Sequence, residues 1–430
     1  MKYQRKPGRR PWARILVPVF AGALIAGTLA AYSSVTDPEF ATQNLEGRGP
    51  ITFVSGKDNN DIIRPLLERW NEARPDEQVT FKEQTDQADQ QRSDLVRNFQ
   101  AQNSDYDVVN VDVVWTAEFA ARGWIQPLEG PLAVDTTGVI PATIDAASYQ
   151  GKLFAAPRFT DGALLYYRKD LVPEPPTTWD QMMAMCPIAK ENGIGCYAGQ
   201  LANYEGLTVN ASEAINSTGG RILDQNGNLS LDTPEAKAGL QALATAYQDG
   251  NIPVQAVTYQ EEQSRQAFQS GQLMFLRNWP YVFSLVSKEG SSEVAGKFGV
   301  TSIPGQDGPG ASTLGGSSSA ISVFSENKAT ARDFVEFMMS EDSGRFMAMG
   351  GSLAPVRESL YSDPELVAQM PYLPDLRTAL DSAVPRPVTP FYPAVTKAVQ
   401  TNAYAAIRGE KTVEQAIQDM KLSMEAAGVK

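Results

Sequence analysis

The chain reads as an α/β protein built as two lobes. Apolar strand-like runs alternate with helix-period segments from residue 51 onward, the pattern of a layered fold around a largely parallel sheet. The 430 residues exceed the roughly 250–300 that a single hydrophobic core holds. A composition of 42% hydrophobic and 20% charged residues is that of a globular protein and not of a disordered chain.

The elements follow in order. Ile51–Val54 is an apolar strand, and Ser55-Gly56-Lys57-Asp58 is the turn after it. Ile62, Ile63, Leu66, Leu67 and Trp70 then recur at helical spacing. Gln78–Phe81 reads as a strand, about Gln91–Ala101 as a helix, and Asp107–Val114 as an apolar strand. Phe154–Pro157 and Ala163–Arg168 are strand-like and nearly contiguous. Thr178 suits a helix N-cap before Trp179-Asp180. Residues 211–287 read as mostly helical, with Thr233-Pro234-Glu235 opening one helix and 261–270 lying on another. Residues 303–319, rich in Gly, Pro and Ser, read as a flexible crossing loop and not as a core element. Thr330–Met339, Ser343–Met349 and most of Tyr392–Val429 are helical again.

Charge narrows the partners. The first 31 residues carry Lys2, Arg5, Lys6, Arg9, Arg10 and Arg14 and no acid. Without them 31 basic residues face 50 acidic ones, a net of −19. So acidic a body repels nucleic-acid phosphates and anionic membrane surfaces. There is no histidine, which excludes histidine triads, histidine zinc sites and histidine acid–base catalysis. No metal or other cofactor is implied.

The basic stretch leads into the apolar run Ile15–Ala31, the layout of a secretory signal over residues 1–31. A single membrane anchor is the alternative. Leu29-Ala30-Ala31 resembles the start of a lipobox, but Tyr32 stands where the acylated cysteine is expected. Lipid anchoring is therefore in doubt, and the protein is expected at the cell surface or outside the cell. Residues 32–50 read as a polar tether. In an oxidising compartment Cys186 and Cys196 can close a short loop, contributing roughly 2–3 kcal/mol. Two buried free thiols are the alternative.

Several segments together carry a family resemblance. They are Tyr149–Pro157 with Leu164–Leu171 and Pro175–Trp179, then Ala267–Phe275 leading into Trp279-Pro280, the Gly315-Gly316 strand, and Gly350–Arg357. In this order and spacing they resemble the extracellular solute-binding family of carbohydrate ABC importers. Val111–Trp124, Asn278–Phe283 and Leu360–Pro364 are similar to the trehalose-binding lipoproteins of mycobacterial and other actinobacterial importers. The resemblance implies a periplasmic-binding-protein-like fold: two discontinuous α/β lobes joined by a hinge, with a ligand cleft between them. Lobe one would comprise about 50–157 plus 304–352, and lobe two about 158–303 plus 353–430. It also implies a monomer that hands a sugar to a permease driven by ATPases, and no catalysis.

A sugar needs carboxylates and amides for its hydroxyls and aromatic faces for its C–H patches. Asp58 follows the first strand and suits either a ligand contact or a helix cap. Asp112 ends an apolar run, where a buried carboxylate needs a polar partner; it suits a ligand contact, with a structural hydrogen bond as the alternative. Arg386, rigidly held in Val384-Pro385-Arg386-Pro387, could donate to the sugar or lock a cleft carboxylate. The resemblance places Asp161, Glu205 and Glu261 at the ligand. It makes Trp279 the stacking aromatic, with Tyr281 beside it and Tyr392 similarly placed, Phe391 being its competitor. Gly316 would bring backbone close to the ligand. Two rival functions remain on sequence alone: a secreted glycoside hydrolase with paired carboxylates, and a binder of another polar solute.

Overall fold

The computed structural model describes residues 38–224 and 226–429. The expected signal (1–31) and the first part of the expected tether lie outside the described residues. The strands are β1 (Ile51–Ser55), β2 (Val79–Glu83), β3 (Val108–Asp112), the short pair β4 (Ser148–Tyr149) and β5 (Lys152–Leu153), β6 (Ala156–Asp161) and β7 (Leu164–Arg168). They continue with β8 (Gly195–Ala198), β9 (Leu273–Asn278), β10 (Phe298–Ser302) and β11 (Gly315–Ile321). One sheet has the order β2-β1-β3-β11-β6 and the other β10-β7-β9-β8.

Both sheets are mixed and not largely parallel. β1 pairs parallel with β2 and β3, whereas β11 runs antiparallel to β3 and β6. In the second sheet only β8 and β9 are parallel. The reversal follows from the chain route. The chain leaves the first sheet at Asp161, builds the second, and returns after Ser302 to insert β11 between β3 and β6. β6 thus stays in the first sheet to Asp161, past the boundary expected at residue 157.

Residues 315–321 are a buried central strand, which corrects the loop reading for 315–319 and agrees with the Gly315-Gly316 strand that the resemblance implied. Their polarity hid them. The serines are small enough for close strand approach, and Ser317 Oγ donates to Asn110 Oδ1 at 2.6 Å. β8 and β10 were also missed, and β9 interrupts the segment read as mostly helical.

The first sheet is covered by helices Ile63–Ala73 and Lys328–Met339. Trp70 and Phe53 each meet Phe334 edge-on at 5.4 Å. Over the second sheet, helices Glu205–Ser217, Pro234–Gln248, Tyr392–Ile407 and Val413–Ala426 pack together. Cys186 and Cys196 form a disulfide that ties helix Cys186–Glu191 to β8.

Residues 38–50 are not a free tether. Pro38–Thr42 is a short helix, and the Phe40 ring lies edge-on to Phe324 at 5.3 Å. Lys328, 1% exposed, donates its ammonium to the carbonyls of Phe40 (3.2 Å), Gln43 (2.7 Å) and Ser325 (2.9 Å). A buried ammonium needs such acceptors, and the end of a helix has carbonyls to spare.

Candidate functional site

A cavity of about 250 Å³ lies between the two sheets, where β1, β3, β6 and β9 end. A crevice at the carboxyl ends of strands is the expected ligand position in open α/β layers. Every residue singled out for the ligand except Tyr392 and its competitor Phe391 lines this cavity.

Asp161 ends β6 and is 9% exposed, with Oδ1 buried and without a hydrogen-bond partner. Burial pushes its carboxyl well above the usual range; Arg277 opposes this and Asp112 adds to it. Asp112 ends β3, and its Oδ1 accepts from Val114 N and from Arg386 Nη2, both at 3.1 Å.

Arg386 is the centre of a buried network. Its Nη1 donates to Glu205 Oε1, while its Nε has no partner. Burial alone would lower the guanidinium pKa; Asp112, Tyr392 and Glu205 outweigh it, and the group stays charged. Glu205 also accepts from the hydroxyls of Tyr392 and Thr396. Burial raises the Glu205 pKa, and Arg386 opposes the rise. Tyr392, 1% exposed, is therefore not a stacking aromatic: it stands behind Glu205 and holds it. Its competitor Phe391 points away, 43% exposed.

Trp279 follows β9. One face of its ring lies on the Arg277 guanidinium, 3.9 Å from the centroid. Arg277 is held by Glu213, with Nε to Oε2 at 2.7 Å. Glu261 opens helix Glu261–Gln269 and accepts from Tyr204 OH at 2.7 Å; burial raises its pKa. Tyr281 donates to Glu262 at 2.8 Å. Asp58 lines the cavity and also accepts from Ile63 N at 2.6 Å, at the start of helix Ile63–Ala73. The helix-start contact is the one of its two readings that a hydrogen bond realises, although the N-cap position itself falls to Ile62. Gly316 has φ +117°, and a Cβ there would come within 2.6 Å of the Phe159 carbonyl. Its close approach is to β6, within a strand and not a turn.

Sequence reasoning missed Arg158, Trp115 and Asn110, which also line the cavity. Arg158 is 3% exposed, and its Nη2 donates to Asn110 Oδ1 at 2.7 Å. Its Nε and Nη1 have no partner, and burial pulls its pKa down to about 10. The signal was present: a charged residue and an amide sit inside otherwise apolar strands, where neither belongs without a polar task.

Two half-walls carrying buried, partly unpaired polar groups on opposite sides of one cavity define a two-lobed receptor for a small polar molecule. The chain belongs to the bacterial extracellular solute-binding proteins, whose sequence model matches residues 56–345. It is 33% identical to a probable ABC transporter-binding protein of Deinococcus radiodurans, over 75% of this chain and 80% of that one. It is 26% identical to the mannitol-binding protein of Pseudomonas aeruginosa, over 81% and 82%. Among solved structures, maltose-bound MalE3 of T. maritima superposes with a TM-score of 0.83 at 33% identity, over 88% of this chain and 99% of that one. These are solute-binding proteins and not enzymes, which removes the glycoside hydrolase alternative. No helix among the described residues is long and apolar enough to cross a membrane.

Proposed function

We propose that the chain is the exported substrate-binding subunit of an ABC importer for a sugar or polyol, and that its first ligand is trehalose or a related α-glucoside. Asp161 carries the reading. A buried carboxylate with an unpartnered oxygen, beside the open face of Trp279, has the chemistry a sugar hydroxyl and its adjoining C–H face would satisfy. The likeness to maltose-bound MalE3 supports an α-glucoside. The mannitol-binding relative supports a polyol as the second reading.

Asp112, Asp161 and Arg158 would hold the ligand from the first sheet. Glu261, Trp279 and Tyr281 would hold it from the second, with Arg386 bridging the two. Ligand contacts on both lobes favour the closed form, which docks on the permease; the ATPases drive opening and release.

The test is a titration of the mature chain with trehalose, maltose, sucrose, glucose and mannitol, read by tryptophan fluorescence and heat. Micromolar trehalose binding is expected. Trp279→Ala should weaken it by about 2 kcal/mol, roughly 30-fold. Tight binding of mannitol and of no disaccharide would replace the α-glucoside with a polyol. Failure of every sugar and polyol would overturn the proposal.

A further inference from the structure

A second cavity, of about 240 Å³, lies within the second lobe and shares no lining residue with the cleft. Small residues of two packed helices, Ala214, Gly239 and Ala242, leave it open. Trp179 and Tyr197 face it, their rings 5.4 Å apart at 77°. The Tyr197 strand is pinned by the neighbouring disulfide at Cys196. Residues 303–306, on the segment returning to the first sheet, form a further wall.

The polar groups of this cavity indicate its ligand. The Arg277–Glu213 pair lines it and is already closed upon itself at 2.5 Å, and the one further charge on its lining, Asp180, is exposed at the rim and disfavours an anion. Asn210 is 5% exposed, and its amide nitrogen is already spent on Gln200 Oε1 and the Gly206 carbonyl. Tyr197 is 6% exposed, and no described group bonds its hydroxyl. A hydroxyl left unpaired in a partly shielded cavity selects a ligand that pairs it. Aromatic walls and a slot between helices select one that is flat and mostly apolar.

We infer that this cavity is an effector site for a small neutral phenol, and that its occupant tightens sugar binding. Two connections couple it to the cleft. Arg277 lines the second cavity while its guanidinium lies on Trp279, which lines the first. Glu213 Oε1 also accepts from Thr313 N at 3.3 Å, on the segment that crosses between the sheets. A molecule seated here favours the arrangement of Trp279 and the crossing segment found in this structure, and the linkage is reciprocal.

Phenol itself is the probe, titrated calorimetrically into the mature chain with and without saturating ligand of the cleft. Saturable one-to-one binding is expected, with the sugar Kd falling at least threefold when phenol saturates. Ala242→Trp, which fills the cavity, should abolish phenol binding and leave sugar binding intact. Should that variant fold poorly, Tyr197→Phe removes only the hydroxyl and should weaken phenol about tenfold with an unchanged Tm. The inference is overturned by absence of saturable binding at millimolar phenol, by binding indifferent to both variants, by a sugar Kd that phenol leaves unchanged, or by competition between phenol and sugar. None of these outcomes touches the sugar reading, which stands or falls at Trp279 and Asp161.

Discussion

Asp161 and Arg386 show two fates of an ionisable group inside this cavity. Arg386 is matched by Asp112 and Glu205, so removing it strands two carboxylates. Arg386→Ala should cost about 3–5 kcal/mol in urea unfolding. Asp161 has no such partner. Its folded pKa is raised, so the folded chain holds that proton to higher pH than the unfolded chain. Its ionisation therefore costs nothing below the ordinary carboxylate pKa and destabilises progressively as pH rises through the folded value. Asp161→Asn should accordingly raise the Tm of the ligand-free protein at neutral pH, with the gain fading near about pH 3. The same variant should lose at least tenfold in sugar affinity, about 1.4 kcal/mol. A Tm that falls at neutral pH would show that the carboxylate is compensated after all.

At the scale of elements, legibility tracked apolar pattern. β1, β3 and the helix after β1 carry clear periodicity and were readable. β11 was not readable from composition, only from the family resemblance, because Gly315-Gly316-Ser317-Ser318-Ser319 has loop composition and is buried only through neighbours distant in sequence. Gly316→Ala should destabilise by about 1–3 kcal/mol, since φ +117° and the Phe159 carbonyl both exclude a Cβ. Lys328 was equally opaque: nothing local distinguishes it from a solvated helix lysine. Burial lowers its pKa to about 8, with Asp107 opposing. Keeping it charged therefore weighs on the fold below that pH, and the burden lifts as pH rises towards the ordinary lysine value. Lys328→Met should speed amide exchange across residues 38–47 by removing the carbonyl contacts that hold that segment.

Across the whole molecule, the cleft was legible through its chemistry more than its shape. Carboxylates and a tryptophan at strand ends pointed to one place, and the fold gathers them there. Tyr392 was misjudged because a buried tyrosine that positions a carboxylate and one that stacks on a ligand look alike in sequence. Contacts that bridge the cavity were invisible for the same reason. Asn60, in the loop after β1, donates to Ser284 Oγ at 2.8 Å and to the Tyr281 carbonyl at 3.3 Å on the opposite side. Asn60→Ala should open the ligand-free chain, seen as a larger radius of gyration in solution scattering. An unchanged radius would mean that the remaining contacts across the cavity, Arg386 with Asp112 and Asp89 with Gln400, hold the two sides together without it.

The position of β11 has a further consequence, for the order of events at synthesis. The first sheet lacks its fourth strand until residue 321 has been made, so β3 and β6 have no partner between them while the entire second sheet is being translated. A nascent chain whose first domain has an empty slot stays unfolded longer than one whose domains are contiguous.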